Sequence, residues 1–206
     1  QYRFEVSVED ALNDRMVSYP ITRSMAAPIG DGAAAAILCS REVLMTLPAV
    51  VRERAVRVLA CSMTSGIYRK PEEPSLSHHA ARRAYKAAGI TPEQVSIAEV
   101  HDATSFCEIF QAEMMGFCEP GTGGRYVAEG HTTLGGSRPI NLSGGLVSKG
   151  HPVGATGLSM IHELVLQLRG EAGQRQAANV SVALAENGGG VIGFDEAACV
   201  VTLLGR

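Results

Sequence analysis

Short apolar runs with strand character alternate with amphipathic helical stretches along this chain. That alternation constrains the fold more than any other feature of the sequence. Val56–Cys61 reads as a strand. Ser75–Ala88 reads as a helix, with Ser77 as a candidate cap and Gly89 as its stop. Val95–Val100 is the next strand, and Thr104 or Ser105 can cap a helix that ends at Gly116. Gly154–Arg169 reads as a helix stopped by Gly170, with an apolar face of Leu158, Ile161, Val165 and Leu168. Val180–Leu184 and Ala197–Leu204 read as strands on either side of a Gly188-Gly189-Gly190 turn. The pattern implies a layered α/β domain, in which ligands gather at the carboxyl ends of strands. His101 and Glu186 closely follow such strands. The remaining stretches carry weaker signals. Residues 1–30 read as a loop-rich lead-in, and Ala33–Cys39 is a short run that suits a strand or a helix equally. Arg41–Leu47 reads as a helical turn before Pro48, and Pro92 opens another short turn.

Composition narrows the function classes. The chain has 206 residues, 46% hydrophobic and 19% charged, enough to bury a sizeable core and too apolar for a disordered segment. A net charge of -3 gives no basic footprint for nucleic acid. No run approaches the ~20 apolar residues of a membrane span. Glycine is abundant, 23 residues, and tryptophan is absent, so closely packed layers and glycine loops beside a ligand are expected. Residues 119–150 hold many of those glycines and read as a long loop region, of a length that is usually functional or disordered. The five cysteines are scattered, with no Cys-x-x-Cys pair. That argues against a zinc ribbon or other metal site in this chain, and for reduced thiols in a cytoplasmic enzyme. Gln1-Tyr2-Arg3-Phe4, without an initiator methionine, reads like mid-protein sequence and raises the expectation of a fragment, a processed chain or half of a larger protein.

Three constellations carry chemistry. In Ser143–Gly157 a histidine, His151, stands between Gly150, which permits close substrate approach, and Pro152, which fixes the backbone after it. In Glu99–Thr104, His101-Asp102 ends a strand. Asp102 is equally suited to capping the following helix, and His101 to a solvated loop. In Ala185–Gly190, Glu186 and Asn187 precede three glycines. The pattern fits a plain turn or a set of backbone N–H donors to an oxyanion with a neighbouring acid or base. His78, His79 and His162 read as packing or surface residues, His131 is indeterminate, and Lys149 reads as solvated. None of the cysteines sits in a nucleophile motif, although Cys107 lies one to two turns from His101.

These motifs resemble, in order and spacing, those of the thiolase superfamily. Asn141–Gly157 is similar to the thiolase C-terminal signature. His101-Asp102 resembles the His-Asp-Cys-Phe motif of sterol-carrier-protein-type thiolases, and Asp31–Ile37 resembles the Asp-Gly-Ala-Ala-Ala segment that ends the family's N-terminal half. The resemblance covers residues 28–206. It implies a C-terminal βαβαβ half, a five-stranded mixed sheet covered by helices. Residues 1–40 would then be the end of the N-terminal half and lead-in, and 41–206 the C-terminal thiolase domain. It also implies roles. His151 would activate a nucleophile, His101 would hold an oxyanion-hole water or substrate oxygen, and the Gly188 N–H would complete a second hole. Gly150 and Asn187 would help bind substrate. The family's nucleophilic cysteine lies in the first half and has no counterpart here.

The reaction implied is thiolytic cleavage or Claisen condensation of a β-ketoacyl-CoA through an acyl-cysteine. Coenzyme A would be a substrate, with no tightly bound cofactor. The usual proton-transfer cysteines are replaced by Ala103 and Glu186, so Glu186 becomes the candidate general base. Two other readings compete: a thiolase-fold retro-aldolase acting on a β-hydroxyacyl-CoA, whose relatives often pair with a small zinc-ribbon/OB-fold protein, and a non-catalytic acyl-CoA- or lipid-binding subunit. The resemblance further implies a homodimer, a role in lipid metabolism, and a half that is inactive alone.

Overall fold

The computed structural model describes every residue except Gln1, Arg3 and Ile67. The chain order is α1 (Val8–Asn13), β1 (Met16–Ser18), β2 (Ile21–Thr22), α2 (Arg41–Thr46), α3 (Ala49–Glu53), β3 (Arg57–Ser65), α4 (Leu76–Ala88), β4 (Ile97–Glu99), α5 (Ser105–Met114), α6 (Gly123–Ala128), α7 (Gly145–Lys149), α8 (Thr156–Arg169), β5 (Val182–Gly189) and β6 (Ala198–Gly205). β3 to β6 form a mixed sheet in the order β3-β6-β5-β4. β4 runs parallel to β5, and β6 runs antiparallel to both β5 and β3.

Period-two alternation sends successive side chains to opposite faces of this sheet. Ala98 and Leu184, with Val201 and Leu203, pack against Leu76, Ala80, Ala81, Ala84 and Tyr85 of α4 and Ala112 of α5. Ile97, Ala183, Ala185 and Leu204 pack on the other face against Met160, Leu164 and Leu168 of α8. Alanines on α4 let the helix approach the sheet closely, which is the use the sequence makes of its small residues.

Four strands form the sheet where five were expected. Among the described residues, the outer edge of β4 is met only by a single parallel bridge between Ala98 and Ile140. Ala98 N–H donates to Pro139 O at 3.0 Å and Asn141 N–H to Ala98 O at 2.9 Å. Asn141 then turns into positive φ, 55°, which ends the pairing.

Local differences have local causes. The lead-in holds a short helix and a two-stranded ribbon, and Ser7 caps α1 through the Asp10 N–H. Residues 31–40 form no helix or strand; Ile37 is 100% and Leu38 78% exposed, because no described strand lies beside them to complete a ladder. Ser75, not Ser77, caps α4, since only its hydroxyl reaches the His78 N–H. The buried face of α8 is Met160, Leu164 and Leu168, one row round from the expected stripe, and Leu158 is 41% exposed. The glycine-rich region contains α6 and α7. Gly188 and Gly189 continue β5, so only Gly190 turns, with φ 67°. No helix among the described residues is long and apolar enough to cross a membrane.

Candidate active site

The carboxyl end of β4 and the loop before α8 bring His101 and His151 together. Their ring centroids are 4.8 Å apart at 81°. Each imidazole is fixed from behind by its neighbours. Asn187 Nδ2 lies 2.9 Å from His101 Nδ1 and also donates to Gly188 O at 2.9 Å. A carbonyl only accepts, so the amide nitrogen is the atom facing His101. Nδ1 therefore accepts, and the imidazole proton resides on Nε2. On the other ring, Nδ1 of His151 lies 2.7 Å from Thr156 Oγ1, whose own proton is directed to Pro152 O at 3.3 Å. With that proton committed, Thr156 Oγ1 accepts from Nδ1–H and leaves His151 Nε2 with a free lone pair. Burial holds both imidazoles neutral. It lowers His101 from 6.5 to about 4, with the neighbouring His151 adding to the effect, and lowers His151 as well.

The backbone around each histidine is clamped. Asp102 turns away from the site and accepts the Leu146 N–H at 2.7 Å, tying the β4 exit to the start of α7. Burial, opposed by that hydrogen bond, pushes its carboxyl up to about 7. A side chain at Gly145, which has φ 61°, would collide with this carboxylate. Glu99 is fully buried and accepts from Ser143 N–H at 3.1 Å, Ser143 Oγ at 2.6 Å and Lys149 Nζ at 3.3 Å. Its pKa is raised by burial against the pull of Lys149. Gly150 ends α7 with φ 97° and ψ 163°, a conformation open to glycine, and delivers the chain to His151.

A strap from the lead-in joins the two histidine loops. Ala27 N–H donates to Ala103 O at 2.9 Å, and His151 N–H donates to Pro28 O at 3.1 Å. A Cβ at Gly32 would lie 2.8 Å from Pro152 Cγ.

The expected site residues thus fall into two groups. His101, His151 and Asn187 lie side by side, and buried Gly150 precedes His151. Glu186 points to the opposite face of β5, as strand alternation requires. It is fully buried, and its carboxylate accepts the His101 backbone N–H at 2.9 Å and the Cys199 thiol at 3.3 Å. Burial pushes it up to about 7. Gly188 lies opposite Cys199, and a side chain there would collide with the Glu196 carboxylate. His162 is exposed, and His131 stacks on Tyr126. Lys149, read from sequence as solvated, instead pairs with Glu99. Sequence reasoning missed Thr156, the Pro28 strap and the Glu99–Lys149 clamp. Only Thr156 left a signal, a hydroxyl at the first position of the helix that follows His151.

Comparison with known proteins gives the family and the fold. The family described as "Thiolase C-terminal domain-like" matches residues 71–203. The chain is 40% identical to sterol carrier protein 2 of Oryctolagus cuniculus, covering 96% of this chain and 39% of that protein. It is 38% identical to the acetyl-CoA acetyltransferase of Methanothermobacter thermautotrophicus, covering 94% and 51%. It is 33% identical to a benzoylsuccinyl-CoA thiolase subunit of Thauera aromatica, covering 82% and 44%. Among solved structures, a chain of an "Ltp2-ChsH2(DUF35) aldolase" superposes with TM-score 0.79 at 21% identity, over 97% of this chain and 51% of that one. The chain belongs to the thiolase family, matching its C-terminal domain, and has the thiolase-like α/β fold. It spans between 39% and 51% of the length of the first two of these relatives.

Proposed function

We propose that this chain supplies the C-terminal half of a thiolase-type acyl-CoA site, which cleaves or forms a β-ketoacyl-CoA. One observation carries the reading: two neutral imidazoles, 4.8 Å apart, whose second nitrogens are held by opposite kinds of partner. His101 offers an Nε2–H donor where a thioester oxygen gains negative charge. His151 offers a basic Nε2 that takes a proton from a thiol or from the carbon next to a carbonyl. The Gly188 N–H and Gly150 belong to the substrate-binding rim, and coenzyme A enters as a substrate.

Glu186 acts through His101. Its carboxylate fixes the backbone N–H of the residue that bears the donor imidazole, so its contribution is positional. An acyl-accepting cysteine would come from the other thiolase half, carried elsewhere in the protein or on another chain, and the assembly would be a homodimer. The activity reading also places the protein in lipid metabolism and in the cytoplasm.

A retro-aldolase is the second reading. It needs no acyl-accepting thiol, and Ala103 and Glu186 stand where related enzymes carry proton-transfer cysteines. In that case a zinc-ribbon/OB-fold partner would complete the site.

The test is to incubate the assembled protein, with both thiolase halves present, with a β-ketoacyl-CoA plus coenzyme A, and separately with a β-hydroxyacyl-CoA alone. Coenzyme A-dependent loss of the ketoacyl thioester supports the thiolase. Release of a ketone or aldehyde without coenzyme A supports the aldolase. Acyl-CoA binding with neither reaction overturns both in favour of a binding subunit.

A further inference from the structure

Behind the imidazole face, on the α5 side of the sheet, lies a second cluster that the proposed reaction does not use directly. An oxygen of Glu186, an oxygen of Glu196 and the Cys199 sulfur lie within 4.8 Å of one another. Among the described residues no lysine, arginine or histidine side chain pairs with either carboxylate. Besides Glu186, the charge that bears on Glu196 is that of Asp195, which is already paired with Arg69. Two adjacent buried carboxylates without a cation cannot both be ionised.

The hydrogen bonds show which one keeps the charge. Both oxygens of Glu186 already accept, one from the His101 N–H and one from the Cys199 thiol. Glu196 differs. Its Oε1 faces Gln111 Nε2 at 3.5 Å, and its Oε2 is buried without a partner. Gln111, on α5, is 3% exposed, and its Oε1 is also buried without a partner. The two orphans are the remaining oxygens of the two side chains that meet at that Nε2–Oε1 contact. A proton on Glu196 Oε2, donated to Gln111 Oε1, satisfies both at once. The amide and the acid then pair as two planar forks, N–H to oxygen and O–H to oxygen.

We propose that Glu196 is a positioning residue for this site: a neutral carboxylic acid paired with Gln111, which leaves the single negative charge of the pair on Glu186 behind the His101 backbone. Gly188 makes the arrangement possible, because any side chain there would occupy the place of the Glu196 carboxyl. The direction of titration agrees. Burial and the Glu186 charge push Glu196 up to about 8, and the Cys199 thiol is pushed up as well, so it stays protonated as the donor to Glu186. Above that pH a second charge appears beside Glu186, and the hold on His101 is disturbed.

The kinetic consequence rests on the acyl-CoA reading above, but the proton itself can be observed independently. Infrared difference spectra of wild type minus Glu196→Gln, in heavy water near neutral pH, should contain the carbonyl stretch of a protonated carboxylic acid. That band should vanish as pH rises through about 8. In the rate profile, wild type should lose activity over the same rise, and Glu196→Gln, a permanently neutral isostere, should not. Glu196→Ala should lose about tenfold or more at neutral pH, as expected when a reacting group is displaced. If Glu196→Gln does not fold, Gln111→Leu provides the second test. Without its acceptor the acid should ionise at lower pH, shifting the alkaline loss of activity downward.

Absence of the protonated band overturns the proposal, whatever the enzyme does. So does a stoichiometric metal in the purified protein, since a cation would then replace the proton. A band that is present in a protein without thiolase or aldolase activity leaves this assignment standing and removes only the functional reading.

Discussion

The amide of Asn187 decides what His101 can do. It donates to Nδ1, so the ring carries its proton on Nε2. Asn187→Asp replaces that donor with a group that only accepts. The imidazole pKa should climb from about 4 as the carboxylate favours the charged ring. Above the new pKa the remaining proton should sit on Nδ1, turning Nε2 into an acceptor. Turnover should then fall as pH rises, by about 10²–10³-fold, the range for loss of one oxyanion donor. An NMR titration of His101 beside a pH–rate profile checks both parts. Gly157 sets the same amide from the other side, because a Cβ there would collide with Asn187 Oδ1. Gly157→Ala favours the helix by up to about 1 kcal/mol yet pushes Asn187 off His101. The expected result is a folded protein with lower kcat, read by thermal melting and turnover together. The sequence showed both histidines, because their glycine and proline neighbours are unusual. It did not show which neighbour of Glu186 shares their face, since that depends on strand register: β5 extends to Gly189, and its alternation puts Asn187 rather than Glu186 beside the histidines.

At the scale of elements, the strand–helix alternation was readable because α4, α8, β5 and β6 each carry enough apolar periodicity to mark their faces. The lead-in was not readable. Its contribution is made by backbone atoms of residues 27 and 28, which bond to the two histidine loops and leave no side-chain pattern. The fifth strand failed for a related reason. Residues 139–141 pair through one bridge before Asn141 turns out of extended geometry. The strap is nevertheless testable. Gly32→Leu should force Pro152 to move and carry His151 with it. Activity should fall by about tenfold or more, while the melting temperature, set by the two cores around the main sheet, should change little. A loss of stability as large as the loss of activity would mean that the lead-in is part of the core and not a clamp on the site.

Across the whole molecule, the sheet separates two polar systems. On the α8 side are the neutral imidazoles, and on the α5 side is Glu186, which holds the His101 backbone, with Glu196 beside it. Each leaves a signature in stability against pH. His101 is lowered from 6.5 to about 4, so the unfolded chain binds its proton first. Its contribution is complete above pH 6.5 and is lost as pH falls toward 4. Glu196 has the opposite sign. Raised from 4.5 to about 8, it makes the folded state less stable as pH rises across that interval. Melting temperatures of wild type compared with His101→Asn should therefore diverge most near neutral pH and converge toward pH 4, whereas wild type should lose ground to Glu196→Gln as the solution becomes alkaline. The account stands or falls on the division of labour between the two rings. Nitrogen-15 spectra of the histidine side chains at pH 7, assigned with His101→Asn and His151→Asn, report it directly. The expected result is two neutral rings, His101 protonated on Nε2 and His151 on Nδ1. Identical tautomers, or a charge on either ring, would contradict it.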